Sequence, residues 1–342
     1  DKEGNVYRKT DDSLTDYTVT LTSQTQPFKD LGDLYENGEK IGNVYLANAP
    51  LKVQKTSYLW LTKSLDDGKT WTSPVDLTPQ VKADWMRFIG TGPGTGLKLD
   101  NGRLVFPIYY ANEYKQLSSA LIYSEDGEHW QRGESPNDGR RYNYTTLQSQ
   151  YITQTAEQLT ESQVIQLQNG DLKMFMRNVK DGMPKNILVA TSKDRGETWL
   201  PDIKPIGYES QSWSQMSAIH YIKDGKDYVL TSQPAGAGSW DRYDGFAKLG
   251  VYNQDSDSFD WQGELLLEEG PFQYSSLQKL DETTFGVLYE AGTNSITIKY
   301  KEFTEGQLIA ETEPEPELPE EDKNLALSTG QRLPMPIASW TN

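Results

Sequence analysis

Short runs of apolar residues, some of them alternating with polar ones, recur along the chain between turns rich in Gly, Asn and Asp. Residues 17–22 alternate strictly, and residues 57–62, 120–123 and 186–191 form further short runs. A period of two residues places successive side chains on opposite faces of a β-strand. So many short strands separated by turns predict one all-β domain rather than several α/β domains.

A small pattern, Ser-x-Asp-x-Gly-x-Thr-Trp or a close variant, follows three of these strands. The copies occupy residues 64–71, 124–130 and 192–199 and begin 60 and then 68 residues apart, and a degenerate fourth copy lies at 253–261. Self-similarity at this spacing is typical of a β-propeller, in which one blade is repeated around an axis. Four copies describe roughly four blades, whereas a closed propeller of this kind needs about six. We therefore expect the rest of the propeller to come from sequence outside this chain.

The repeated residues have a structural explanation of their own. Asp and Gly close tight turns, and Ser and Thr hydrogen-bond to the turn backbone. The Trp at the end of each copy can fold back over the turn. We interpret the repeats as architecture and expect them to contact no ligand.

Composition divides the chain into three parts. Residues 1–44 are polar and rich in turns, and residues 45–310 carry the repeats. Residues 311–342 begin with an acidic, Pro-rich stretch that cannot bury a core, which predicts a linker and a tail.

Charge and residue usage exclude several classes of function. A formal net charge of −17 disfavours nucleic acid as a partner, because no basic stripe is present to neutralise phosphates. No apolar run is long enough to span a bilayer, so we expect no membrane insertion by this chain. The absence of Cys and the presence of only two His argue against thiol nucleophiles, a Ser-His-Asp triad and His-rich metal sites. The 20 Tyr and nine Trp suit sugar stacking and blade-core packing equally well.

The candidate chemistry therefore rests on carboxylates, Tyr and Arg. Residues 161–178 predict a hairpin that turns at residues 168–171, and its second strand alternates, with Arg177 on the same face as Phe175. Glu161 and Arg177 are predicted to approach each other at the ends of the two strands. Such a pair taken alone is more often an inert ion pair than part of a functional site.

The order of candidate residues along the chain resembles a known family. The turn patterns are accompanied by Glu161, Arg177, Arg242, a Tyr-Ser-Ser-Leu segment that begins at Tyr274, and a Leu-Tyr-Glu segment that ends at Glu290. This order resembles the C-terminal two thirds of the bacterial exo-α-sialidases (neuraminidases), in particular the secreted streptococcal enzymes.

The resemblance covers about residues 45–305 and includes the Gly-rich segment at 88–96. It implies a six-bladed β-propeller of the sialidase type, of which this chain supplies roughly four blades. It also implies that residues 1–44 are the end of a small inserted β domain, and that the protein is secreted or held at the bacterial cell surface.

Roles for four side chains follow from the resemblance. Tyr274 matches the catalytic nucleophile, and Glu161 matches the base that takes its proton. Arg177 and Arg242 match the second and third members of the Arg triad that binds the sialic acid carboxylate. Physical chemistry supports these roles. The planar guanidinium of Arg binds a carboxylate through two parallel hydrogen bonds. A neutral phenol also avoids the repulsion that an anionic nucleophile would meet from the carboxylate on the anomeric carbon.

Two further matches and two departures complete the comparison. Tyr109 loosely matches a rim Tyr that contacts substrate, with core packing as an equal alternative, and Glu290 matches the carboxylate that orients the first triad Arg. The Arg-Ile-Pro segment that supplies that first Arg has no match here, and neither does the catalytic Asp that follows it. We therefore expect the N-terminal part of the same enzyme, as a companion chain or segment, to complete the site.

The expected activity is hydrolysis of terminal sialic acid from sialylated glycans, without a metal or other cofactor. One alternative is intramolecular transfer that yields anhydro or unsaturated sialic acid. Family members that make the anhydro product carry a Trp shortly after the Leu-Tyr-Glu carboxylate, and residues 291–298 contain none. The other alternative is a non-catalytic propeller that binds sialylated glycans.

Overall fold

The computed structural model describes residues 1, 3–22, 30–46, 48–53, 57–178, 187–208, 210, 213–235, 242–292 and 295–309. Residues 311–342, which are predicted to form a linker and a tail, and residues 236–241 lie outside the described residues.

The N-terminal residues form an antiparallel sheet of their own with strand order β1-β2-β3-β4. Its strands are β1 (Asn5–Tyr7), β2 (Leu14–Val19), β3 (Asp33–Glu36) and β4 (Glu39–Asn43). The side chains of β2 alternate between exposed and half-buried positions, but the strand predicted at residues 17–22 is shifted, because β2 begins at Leu14 and ends at Val19. The assignment of residues 1–44 to an inserted domain stays a prediction.

The next sheets are built from short antiparallel strands. β5 (Trp60–Leu61) pairs with β6 (Val75–Asp76), and α1 (Thr78–Val81) follows. A five-stranded sheet has the order β11-β10-β9-β7, and β8 also pairs with β9. Its strands are β7 (Phe88–Thr91), β8 (Leu97–Lys98), β9 (Leu104–Ala111), β10 (Leu117–Ser124) and β11 (Gln131–Arg132).

A short hairpin, β12 (Arg141–Tyr142) and β13 (Thr145–Thr146), and a 3₁₀ turn (Thr155–Glu157) lead into the third part of the fold. A four-stranded sheet has the order β14-β15-β16-β17, with strands β14 (Leu159–Gln166), β15 (Leu172–Asn178), β16 (Leu188–Ser192) and β17 (Lys204–Pro205). The predicted hairpin at 161–178 is therefore confirmed as β14 and β15.

The last sheet has six strands in chain order, β18 to β23, and is followed by α2 (Glu305–Leu308). The strands are β18 (Ser217–Lys223), β19 (Lys226–Pro234), β20 (Tyr243–Asn253), β21 (Ser258–Lys279), β22 (Thr284–Ala291) and β23 (Thr297–Thr304). The 22-residue β21 pairs with β20 as far as Pro271 and with β22 from Phe272 onward. It therefore joins the two halves of this sheet.

The core lies between neighbouring sheets. Leu172, Met174 and Met176 of β15 pack with Leu121 and other residues of the preceding sheet. Phe175 packs on the opposite face, in the cluster that contains residues of β18 and β19. Both faces of β15 are buried because a sheet stands on each side of it, which confirms the predicted alternation. The all-β prediction is confirmed, and the number of blades in the complete propeller stays a prediction.

The repeated turns close on themselves through side-chain hydrogen bonds. In the third copy, Asp194 Oδ1 accepts from Ser192 Oγ at 2.8 Å and from Thr198 N at 2.9 Å, and Trp199 Nε1 donates to Glu134 O at 3.1 Å. Gly196 has a φ of +90°, and a Cβ there would lie 2.6 Å from Leu121 Cδ1. These contacts lie within turns and between sheets, as the architectural interpretation predicts.

The strand predicted at residues 57–62 is shorter than expected. Only Trp60 and Leu61 join β5, because Leu59 N donates to the hydroxyl of Thr78 and Ser57 Oγ donates to Ile89 O. Hydrogen bonds to side chains thus replace strand pairing at residues 57–59.

The two helices that the structure describes have four residues each, too few to cross a membrane.

Candidate active site

Two strand irregularities lie beside the candidate nucleophile and base. The ladder between β14 and β15 shifts register between Leu159 and Ser162, next to Glu161. The ladder between β21 and β22 shifts between Phe272 and Ser275, next to Tyr274. Irregularities of this kind re-aim side chains and are common beside active sites. Here they turn Glu161 and Tyr274 toward each other from different sheets.

Three of the predicted site residues form one hydrogen-bonded cluster. Tyr274 Oη donates to Glu161 Oε1 at 2.5 Å, and Arg177 Nη1 donates to Glu161 Oε2 at 2.6 Å. Arg177 Nη1 also lies 3.2 Å from Tyr274 Oη. The side chains of Arg177 and Glu161 are only 19% and 12% exposed. This ion pair therefore differs from a solvated surface pair, which is the inert alternative considered from the sequence.

The environment keeps the Tyr274 phenol protonated. Burial raises its pKa to about 12, the hydrogen bond and negative charge of Glu161 act in the same direction, and Arg177 and Arg242 oppose them. A phenol in this state is a weak nucleophile. It gains reactivity when a neighbouring base accepts its proton, and Glu161 is placed to do so.

Arg242 completes the cluster from the side of Tyr274. Its Cζ lies 5.1 Å from the centroid of the Tyr274 ring, Nη2 donates to Trp213 O at 3.0 Å, and Nη1 lies 3.4 Å from Gln273 Oε1. No carboxylate pairs with Arg242 among the residues that the structure describes. Within that part of the chain, Arg177 Nε is also buried without a hydrogen-bond partner. Two guanidinium groups around the single carboxylate of Glu161 leave a net positive charge that suits an anionic ligand.

The two remaining candidates, Tyr109 and Glu290, are outside the hydrogen-bonded cluster of Tyr274, Glu161 and Arg177. Tyr109 in β9 is half-buried, and its ring lies 5.1 Å from that of Phe88. Burial raises the pKa of Tyr109 and the charge of Glu161 adds to this effect, which places Tyr109 near the cluster. Glu290 in β22 is half-buried and lies opposite Ile298 of β23.

Sequence reasoning missed the buried polar residues behind this cluster. Gln163, Gln215 and Ser275 are each 6% exposed or less, and their hydrogen bonds connect the strands of Glu161 and Tyr274. A Gln directly before the apolar residues of a strand, such as Gln163 before Val164 and Ile165, was the available indication, since buried polar groups need partners.

Comparison with known proteins identifies the family of the chain. The family of BNR repeat-like domains matches residues 34–287. A sialidase of Bacteroides fragilis is 31% identical over 257 residues, which is 73% of this chain and 42% of that protein. The chain belongs to the bacterial sialidase family. The resemblance to this family, inferred from the sequence, is therefore confirmed.

Two further proteins, one compared by sequence and one by structure, are similar to this sialidase-family chain. An anhydrosialidase of Macrobdella decora is 26% identical over 264 residues, covering 72% of this chain and 31% of that protein. The crystal structure of the NanB sialidase from Streptococcus pneumoniae superposes with a TM-score of 0.70 at 23% identity, covering 90% of this chain and 47% of that one. The sialidase type of β-propeller is thus confirmed as the fold. The chain spans less than half the length of the curated relatives described here.

Proposed function

We propose that this chain carries the nucleophile and two of the carboxylate-binding Arg residues of an exo-α-sialidase. The observation that carries the proposal is the hydrogen bond from Tyr274 Oη to Glu161 Oε1, flanked by Arg177 and Arg242. A base that accepts the phenol proton makes Tyr274 a nucleophile, and two cations suit a sugar that carries a carboxylate. The proposed substrate is a terminal sialic acid on a glycan, and its carboxylate would fill the unused donors of Arg177 and Arg242.

The reaction proposed is a double displacement. Tyr274 Oη attacks the anomeric carbon while its proton passes to Glu161, and the bond to the leaving glycan oxygen breaks. That oxygen receives a proton from an acid that has no match in this chain. Water then attacks the anomeric carbon of the glycosyl-tyrosine and the bond from that carbon to Tyr274 Oη breaks. The water proton passes to the conjugate base of the same acid, and Glu161 returns its proton to Tyr274 Oη. Two inversions give overall retention of configuration.

Tyr109 and Glu290 take supporting roles in this proposal. Tyr109 lies near Glu161, at a position from which its ring would contact the bound sugar. Glu290 would orient the first Arg of the triad, which we assign to the companion N-terminal segment. A secreted or cell-surface location belongs to the same proposal.

The last sheet offers a place for that companion segment. Among the described strands, β23 pairs only with β22, so its other edge has no strand beside it. Leu288, Ile298 and Tyr300, on the same face as Glu290, are 49%, 58% and 56% exposed. An apolar face next to an open edge suits a further strand of the propeller.

The experiment is release of 4-methylumbelliferone from its α-sialoside by this chain, alone and mixed with the N-terminal companion. Activity only in the mixture supports the divided site. Activity of the chain alone means that the acid and the first Arg are misplaced in our proposal. Silence in both, together with binding of sialylated glycans, would support the non-catalytic alternative.

Intramolecular transfer is the second candidate, because one relative of this chain is an anhydrosialidase. The sequence 291–298 contains no Trp to exclude water, which favours hydrolysis. Product analysis by NMR separates free sialic acid from the anhydro and unsaturated sugars.

A further inference from the structure

The inner edge of β21 beside Tyr274 is paired with a side chain instead of a strand. Ser275 N donates to Gln215 Oε1 at 3.1 Å, and Gln215 Nε2 donates to Ser275 O at 3.0 Å. The N–H and C=O of one strand residue point to the same side, so a single carboxamide can bond both. Ser275 lies opposite Tyr289 of β22 on its other side. Gln215 therefore fixes the backbone of the residue that follows Tyr274.

The same carboxamide reaches a second segment. Gln215 Nε2 also donates to Pro93 O at 3.2 Å. Two residues further on, Thr95 N donates to Gln163 Oε1 at 3.4 Å and Gln163 Nε2 donates to Thr95 O at 3.1 Å. Gln163 lies two residues after Glu161 in β14. The two buried carboxamides of Gln215 and Gln163, joined through the backbone of the more exposed segment 93–95, therefore connect the backbone beside Tyr274 to the strand of Glu161.

The glycines of residues 88–96 make this path possible. A Cβ at Gly92 would lie 2.8 Å from Ser162 O, and a Cβ at Gly94, whose φ is +151°, would lie 2.2 Å from Gln163 Oε1. Only Gly allows the segment to approach both β14 and the Gln163 amide this closely. The Gly-rich segment thus supports the site through its contacts with β14 and Gln163.

We propose that Gln215 is a positioning residue that holds Tyr274 in register with Glu161 through the segment Pro93–Thr95 and Gln163. The inference rests on the proposed function for its catalytic consequence. Tyr274 and Glu161 belong to different sheets, and their 2.5 Å contact depends on how those sheets are held relative to each other. A displacement of about 1 Å in such a contact costs about a hundredfold in rate.

Two substitutions separate the parts of the bridge. Gln215→Met keeps the length of the side chain and removes both donors and the acceptor. Gln215→Glu keeps the acceptor and removes the donors to Ser275 O and Pro93 O. The matched control is Gln166→Met in the same strand as Glu161. Gln166 makes a similar bridge, accepting from Asp100 N at 2.9 Å and donating to Asp100 Oδ1 at 2.9 Å, and it lies five residues from Glu161.

The first measurement uses this chain alone and needs no activity. Hydrogen exchange at the Ser275 amide is expected to become about tenfold faster or more in Gln215→Met, because its acceptor is lost. The Tyr274 phenol, followed by ¹³C NMR, is expected to titrate at lower pH as its contact with Glu161 loosens. Gln166→Met should change neither. Unchanged exchange at Ser275, or faster exchange with an unchanged phenol titration, would overturn the inference.

The second measurement uses the chain combined with its companion segment. The rate of covalent trapping by 2,3-difluorosialic acid reports the nucleophile, and the Kd of 2,3-didehydro-2-deoxy-sialic acid reports binding. Gln215→Met and Gln215→Glu are expected to trap about 10- to 100-fold more slowly, with Kd changed by less than about threefold. If the trapping rate and the affinity fell together, or if Gln166→Met slowed trapping equally, the role of Gln215 would be merely structural. A wild-type protein that neither traps nor binds would refute the proposed function, and the exchange measurement would still decide the role of Gln215.

Discussion

Tyr274 and Glu161 lie 113 residues apart in sequence, and their side chains share a hydrogen bond of 2.5 Å. The contact joins β21 to β14 across two sheets. Glu161 Oε2 is held at the same time by Arg177, so the carboxylate is fixed with one oxygen toward the phenol. The proposed mechanism requires a contact of this kind between Tyr274 and Glu161, and it can be tested at each of the two residues.

Tyr274→Phe is expected to abolish turnover while leaving sialic acid binding nearly intact. The substitution removes the attacking oxygen and keeps the ring beside Arg242. In the presence of the companion segment, kcat should fall about a thousandfold or more, since loss of a nucleophile removes the covalent step. Steady-state kinetics and the Kd of the didehydro analogue measure the two effects.

The control for this prediction is Tyr109→Phe, which removes a hydroxyl from the neighbouring β9 and should lower kcat far less. If Tyr274→Phe retained substantial turnover, the covalent mechanism proposed here would be wrong.

Glu161→Gln is expected to lower the pKa of Tyr274. In the wild type this pKa is raised to about 12, first by burial and then by the hydrogen bond and the negative charge of Glu161. A negative neighbour disfavours the phenolate, so replacing it with a neutral amide makes deprotonation easier. Because burial remains, the phenol should still titrate above its ordinary value of 10.0.

A ¹³C-tyrosine NMR titration of the chain alone measures this shift, with the resonance assigned by Tyr274→Phe. Tyr110, whose pKa burial raises to about 12 and which bonds to Ser149 instead, should titrate unchanged. A Tyr274 titration that stays the same in Glu161→Gln would mean that the two groups do not interact in solution.

Asp194→Ala is expected to destabilise the fold without affecting the site. The carboxylate accepts hydrogen bonds from Ser192 and from Thr198, and its loss should cost about 1–2 kcal/mol of unfolding free energy. In the ladder, Ser192 lies opposite Leu172, five residues from Arg177 along β15. Trapping by difluorosialic acid should therefore proceed at the wild-type rate.

The pH dependence of this effect has a definite sign. Burial alone would raise the pKa of Asp194, but the hydrogen bonds from Thr198 and Ser192 outweigh it and the pKa is lowered. A carboxylate with a lowered pKa stabilises the folded state above its unfolded pKa of about 4 and loses that contribution as the pH falls. Urea denaturation should show the difference between wild type and Asp194→Ala shrinking below about pH 4. A constant difference, or an equal loss in the exposed control Asp202→Ala, would contradict the prediction.

The sequence predicted the repeated turns because their determinants are local. Ser192, Asp194 and Gly196 bond within one turn, so the pattern alone carries the information. The contact between Glu161 and Arg177 was also within reach, since they belong to one hairpin.

What joins Tyr274 to Glu161 was not predictable from periodicity. It depends on two register shifts and on Gln215, which bonds to residues 60 and 122 positions away. Resemblance to a family placed Tyr274 and Glu161 in one site, but it gave no indication of the amides that hold them there. Such long-range polar contacts become visible only when the sheets are assembled.

Glu290→Ala is expected to have no effect on this chain alone and a large effect on the assembled enzyme. Within the described residues Glu290 has no ion-pair partner and is half-buried, so the unfolding free energy of the chain should change by less than about 0.5 kcal/mol. In the mixture with the companion segment, loss of the carboxylate would leave the first triad Arg unpaired, and kcat/KM should fall about 30-fold or more.

The matched control is Glu302→Ala. Glu302 lies on the same face of the same hairpin, but it pairs with Gly286, four residues from Glu290. Denaturation of the chain and kinetics of the mixture measure both effects. Equal losses in the two variants would show that the face is sensitive to charge in general, and an unaffected Glu290→Ala enzyme would remove Glu290 from the site.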